Sequence, residues 1–130
     1  MKYASKWNRL WLLFAGVAIL SSTPTIAHHG WSWAFDEQTT LQGTIQEISM
    51  APPHPALRVA EANGTLWQVD LGNPNQTARS GFTAQSAKPG DAITVLGNRH
   101  RDEGVKQMKA VRITVGATNY DMYPERIRAK

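Results

Sequence analysis

The sequence predicts an all-β domain: a small five-stranded barrel with one short helix, in the order β-β-β-α-β-β, preceded by a signal-peptide helix. Three observations predict it. Apolar residues alternate with polar ones in five short runs after residue 40, as they do in strands with one buried face. The alternation stops once, between Gly72 and Gly90, where the residues of a capped helix stand instead. It also changes phase inside the first and the last run, as expected of strands that bend between two sheet faces. None of the 130 residues is cysteine, which excludes a disulfide framework, a thiolate metal site, a cysteine nucleophile and a lipidated cysteine anchor. The core is therefore held by packing, and the length fits one small domain.

Residues 1–27 read as an address. Lys2, Lys6 and Arg9 precede the 11-residue apolar run Leu10–Leu20, and a polar stretch then ends at Ala27. At about 1.5 Å per residue such a run covers roughly half of a ~30 Å hydrocarbon core, so it suits a secretory signal better than a membrane span. Thr25 and Ala27 are the small residues a signal peptidase reads. Cleavage between Ala27 and His28 is expected, with a periplasmic or secreted product that meets the membrane only during export. The domain then spans 28–115 and a tail 116–130.

The elements follow in order. From Thr40 to Met50, Leu41, Gly43 and Ile45 share one side while Ile48 and Met50 take the other, so the phase slips after Ile45, and Gly43 eases the bend. Pro52, Pro53 and Pro55 hold an extended loop. Leu57 and Val59 lead to Asn63-Gly64, read as a two-residue type I′ hairpin turn, and Trp67, Val69 and Leu71 are the inward set of the return strand. Asn73 is the helix N-cap, Pro74 stands in its first turn and Gly81 stops it. Lys88-Pro89-Gly90-Asp91 is a turn. Ile93 and Val95 mark the fourth strand, and beyond the polar loop Asn98–Gly104 a fifth carries Met108 and Ala110, then Val111, Ile113 and Val115. Residues 116–130 have no periodicity and are expected as an irregular tail in which Tyr120, Tyr123 and Pro124 dock.

This order is that of an oligonucleotide/oligosaccharide-binding (OB) type barrel; an open antiparallel sheet or small sandwich is the alternative. The stretches Ala27-His28-His29-Gly30-Trp31, Phe35-Asp36, Pro53-His54, Gly72-Asn73-Pro74-Asn75, Gly81-Phe82 and Lys88-Pro89-Gly90-Asp91, with Trp67, resemble a family of small exported bacterial proteins known only as a domain of unknown function. The resemblance covers nearly all of the chain after residue 27 and implies export and a small β fold. Such relatives commonly carry Asn-Pro-His where this chain has Pro52-Pro53-His54.

Two sets of candidate site residues emerge. A chain beginning at His28 offers its α-amine and ring Nδ1 to one metal ion, with an imidazole of His29 or His54 as a third nitrogen. That donor set suits Cu(II). It resembles the histidine brace of copper monooxygenases and some periplasmic copper carriers at the terminal residue alone. The competing reading of His28-His29 is a polar terminus. Trp31, Trp33 and Phe35 alternate and are candidates for a surface that stacks a sugar or base, Trp31 and Trp33 foremost; the competing reading places them in the core. Removing residues 1–27 leaves 11 basic against 10 acidic residues, and Arg99-His100-Arg101 and the tail Arg126, Arg128 and Lys130 read as solvated, so nucleic acid is not expected as a partner. No nucleophile elbow, zinc-protease or phosphate-loop motif is present, so no catalysis is expected, a copper-dependent oxidative enzyme being a remote alternative. The expected function is an exported binding module for a partner protein or small ligand, with a periplasmic copper-binding protein as the alternative.

Overall fold

The computed structural model describes residues 30–128. The signal expected over 1–27, its cleavage point at Ala27 and His28, and the candidate ligands His28 and His29 lie outside the described residues.

The elements are β1 (Ala34–Ser49), β2 (Ala56–Ala60), β3 (Leu66–Asp70), α1 (Pro74–Ser80), β4 (Ala92–His100), β5 (Gln107–Val115) and β6 (Thr118–Asp121), followed by a single 3₁₀ turn over Pro124–Arg126. Their order in the sheet is β3-β2-β1-β4-β5-β6. A short parallel pairing sets Gln68, Val69 and Asp70 of β3 against Gln107, Met108 and Lys109 of β5 and closes the first five strands into a ring. This is an OB-like fold, and the closure sets aside the open-sheet alternative. The alternating apolar residues meet inside the ring, where Leu41, Ile45, Val59, Val69, Val95 and Ile113 are buried with Phe82.

The expected phase slips are both real. One extra residue lies between Ile45 and Glu47, which face the neighbouring Val59 and Arg58 of β2. A second irregularity lets Leu96 and Gly97 of β4 face Arg112 and Ala110, so Val111 is the extra residue of β5. Gly43 serves another purpose than easing the bend: a Cβ there would strike the carbonyl of Ala60, so its bareness lets β2 lie close. The helix has the caps read for it. Asn73 accepts from the Gln76 amide at 2.8 Å, Gln76 accepts from the Asn73 amide at 3.1 Å, and Gly81 ends the helix at φ +88°.

Three expectations change. The β2–β3 connection is longer than two residues: Glu61 to Gly64 form a turn closed by the Gly64 amide on the Glu61 carbonyl (2.9 Å), with Gly64 left-handed at φ +86°. Asn63 caps it by accepting from the Thr65 amide, the use of asparagine that competes with a primed turn. β1 begins at Ala34, six residues before the alternation, because its first part is held by pairing with β4 and has few apolar residues to alternate. The tail is also partly regular. Gly116-Ala117 turns the chain, with Gly116 at φ +61°, and β6 pairs with β5, where Arg112 forks onto Asp121 (Nη2 to Oδ2, 3.0 Å). An edge strand fixed by polar pairs leaves no apolar period to read.

Candidate functional site

The start of β1 runs beside the end of β4, and the two strands are unequal there. Ala34 faces His100 and Gln38 faces Asn98, so four steps along β1 match two along β4. Phe35, Asp36 and Glu37 stand against Arg99 alone, so β1 has two residues too many there and the segment bows outward. Asn98, only 5% exposed, holds them: its Nδ2 donates to the carbonyls of Phe35 (2.9 Å) and Asp36 (3.2 Å) and reaches that of Glu37 at 3.5 Å. Arg101 secures the entry to the bulge, its amide donating to the Trp33 carbonyl (2.9 Å) and its Nε to that of Ala34 (2.8 Å). Bulges at barrel rims re-aim side chains. Here the result is that Phe35 stands 43% exposed.

Phe35 is the wall between two clefts. The first, about 270 Å³, lies among Trp31, Phe35, Asp36, Gln38 and Asn98, with Glu125, Arg126 and Arg128 from the C-terminal segment. The carboxamide Oδ1 of Asn98, one of this cleft's residues, is buried and has no hydrogen-bond partner among the described residues. The second, about 360 Å³, is bordered by Phe35, Glu37, Thr39, Trp67, Arg99, His100, Glu103, Val105 and Lys106. The β4–β5 loop that closes it is one of those with which OB-type barrels bind ligands.

In both clefts a tryptophan is matched with cations. The Arg126 guanidinium lies 4.0 Å from the centroid of Trp31, and Tyr123 meets the same ring edge-on at 4.8 Å. Arg99 and Lys106 stand 4.7 and 5.4 Å from the centroid of Trp67, whose Nε1 is anchored on Glu61 Oε2 at 2.8 Å. Both distances are within cation–π range. Behind the first cleft the buried Lys109 has its ammonium 5.8 Å from the rings of both Trp31 and Tyr123. Burial pulls the Lys109 pKa below the ordinary lysine value, against the opposing charge of Asp70, and burial raises that of Tyr123.

The residues expected to form a site are dispersed. Trp31 is half-buried and borders the first cleft, but its ring is already packed by Arg126 and Tyr123. Trp33 is half-buried with its ring stacked on His100 at 5.4 Å and borders neither cleft. His54 is exposed in the loop between β1 and β2. Among the described residues no three His, Cys, Asp or Glu come together in a way that would hold a metal ion. Asn98, Arg99, Lys106, Arg126 and the floor residue Trp67 were not anticipated as site residues; Phe35 was, as the third aromatic of the alternating set, and it is the one left exposed. The usable cue was the basic run at residues 99–101 entering the loop that serves binding in OB barrels.

Solved structures share the fold. The S. pombe Stn1–Ten1 complex matches with a TM-score of 0.51 at 17% identity, over 62% of this chain and 59% of that one, so this chain spans well under two thirds of that relative's length. The S. cerevisiae mitochondrial single-stranded DNA binding protein Rim1 matches with a TM-score of 0.47 at 15% identity, over 61% of this chain and 91% of that one. The fold shared with the Stn1–Ten1 structure is the OB type, on which oligonucleotides bind, so the expectation that nucleic acid is excluded as a partner does not stand. The physical error lay in reading the basic cluster at 99–101 and the basic tail as free of packing partners. Arg99 and Arg126, read as parts of a solvated loop and tail, are packed on tryptophan rings beside clefts. No curated protein matches the chain. The model of a family of unknown function, DUF6152, matches residues 17–109, and the chain belongs to that family.

Proposed function

We propose that this chain is an exported binding module whose ligand seats in the two clefts beside Phe35. The observation that carries the reading is the bulge itself. Asn98 spends its buried amide on the carbonyls of Phe35 and Asp36, and the outcome is an exposed phenyl ring between two clefts bordered by tryptophans and cations. Aromatic rings and cations recognise flat and anionic groups, the two features that a strand of nucleic acid or an aromatic acid presents together. Export rests on the signal pattern of residues 1–27.

The test begins with the full-length gene in a bacterial host. The mass of the recovered chain is expected to show a start at His28, and a chain retaining Met1 in the cytosol would overturn export. Amide resonances are then followed by NMR during titration with a short oligo(dT) strand, an acidic oligosaccharide and an aromatic carboxylate. At least one probe is expected to shift Phe35, Asn98 and Arg99, with Phe35→Ala abolishing the response. Shifts confined to Arg58 and Gln68, on the outer face of β2 and β3, or none with any probe, would overturn the assignment of this surface.

A further inference from the structure

We propose that the cleft over Trp67 is a nucleotide subsite: Arg99 and Lys106 receive a phosphate, and Phe35 with Val105 receives a flat ring. The proposal rests on the clefts being the binding surface and names the chemistry that one of them takes.

The starting point is a pair of like charges drawn to one ring. Arg99 and Lys106 both approach Trp67, at 4.7 and 5.4 Å from its centroid, and both border the same cleft. Neither has a carboxylate within 4.0 Å among the described residues, where ion pairs form instead at Lys88–Asp91 and Arg112–Asp121. Lys106 donates to the carbonyl of Glu103 at 3.0 Å, while the buried Nε of Arg99 has no hydrogen-bond partner among the described residues. Two cations that share a ring and have no carboxylate in direct contact repel one another, and an anion between them removes the repulsion. A planar guanidinium fork beside a compact ammonium is a donor set suited to phosphate. His100 borders the same cleft, its Nδ1 accepting from the Asp102 amide at 3.0 Å.

The second requirement is a surface for the ring. Three large hydrophobic residues are exposed among the described residues, Phe35 at 43%, Leu66 at 41% and Val105 at 39%. Two of them, Phe35 and Val105, border this cleft. The carboxylates of Glu37 and Glu103 complete the lining. They oppose a second phosphate in the cleft and accept from amino groups of a base or hydroxyls of a sugar. Phosphate, flat ring and hydrogen-bond donors on one ligand describe a nucleotide unit, either free or as part of a single strand.

The test is an NMR and calorimetric titration of the chain as recovered from the producing cells, with AMP, adenosine, inorganic phosphate, oligo(dT) and the aromatic carboxylate. AMP or oligo(dT) is expected to shift Phe35, Arg99 and Lys106, with adenosine and phosphate each binding more weakly than AMP. Lys106→Gln, in an exposed loop, and the double variant Arg99→Gln/Lys106→Gln are expected to weaken binding about tenfold or more. Arg58→Gln, on the outer face of β2, is expected to leave it unchanged. Tighter binding of oligo(dT) than of AMP, with shifts extending to Trp31 and Arg126, identifies the source as a single strand; equal binding confined to the Trp67 cleft identifies free nucleotide. A response to the aromatic carboxylate alone overturns the nucleotide subsite and leaves the binding surface standing. Nucleotide binding that maps to the outer face of β2 and β3 overturns both, as does binding at the cleft that survives the double substitution for the subsite.

Discussion

β1 carries two bulges, and they are held by different forces. Between Ile45 and Glu47 one extra residue bends the strand within its pairing with β2, just beyond Thr44, where the pairing with β4 ends. Around it Leu41 and Ile45 are fully buried, and Gly43 lies so close to β2 that a Cβ would strike the Ala60 carbonyl. Between Ala34 and Gln38 two extra residues bow outward, and the force holding them is a buried carboxamide reaching their carbonyls. The first bulge is stabilised by the apolar area it lets the barrel bury. The second buries little and exposes a phenyl ring. A strand can thus serve closure at one end and display at the other, and the two ends respond differently to substitution.

The largest effect is expected at the closure end. Gly43→Ala forces a Cβ against the backbone of β2 and is expected to destabilise the fold by about 3 kcal/mol, read as a lowered urea midpoint at unchanged slope. Closure would prove tolerant, and the contrast weak, if the midpoint moved little. At the display end Asn98→Ala leaves the bulge carbonyls without their donor and is expected to cost about 2 kcal/mol. Asn98→Asp is expected to cost more above about pH 4, because a carboxylate then faces carbonyl oxygens; its pKa is raised by folding, so stability falls as pH rises through that value and recovers on acidification. A pH-independent loss in this variant would show that Asn98 acts by packing alone.

Lys109 sharpens the contrast at the back of the first cleft. Its pKa is lowered by burial, so the unfolded chain binds the extra proton between that lowered value and the ordinary 10.5, and stability rises with pH across the interval. Tyr123, whose pKa is raised, reverses the trend only above its ordinary value of 10.0, leaving the window below it to Lys109. Lys109→Met is expected to flatten the rise seen in urea midpoints measured at successive pH, while Asp70 keeps its partners Gln68 and Gln107. The smallest effect on stability is expected for Phe35→Ala, under about 0.5 kcal/mol by denaturation, because the ring is largely outside the core. A loss of 2 kcal/mol there would make Phe35 a structural residue and remove the distinction between the two ends.

Much of this was legible beforehand. The slip after Ile45, the extra residue at Val111, the Asn73 cap and the Lys88–Asp91 turn each leave a local mark in the sequence, because apolar spacing and Gly or Pro placement act over a few neighbours. The bulge at Phe35 leaves none. Its determinant is Asn98, more than sixty residues away, and an asparagine entering a polar loop carries no sign that its amide is directed inward. Trp67 was readable as core and is buried, yet its role as cleft floor depends on Arg99 and Lys106 arriving from β4 and its following loop. Trp31 and Trp33 drew attention by their alternation, but the partners that cover them, Arg126 and His100, lie about a hundred and about seventy residues further along.

The sequence by itself determined the class of fold, the order of its strands, the caps of its helix and the places where its strands bend. Those follow from side-chain period and from the backbone freedom of single residues, which are local properties. Tertiary structure alone decided that β3 meets β5 to close the ring, that the tail supplies a sixth strand, and that basic residues from β4 and from the tail settle on tryptophans beside the clefts. A cation becomes part of a site only when its neighbours are fixed in space, and net charge contains no information about distance.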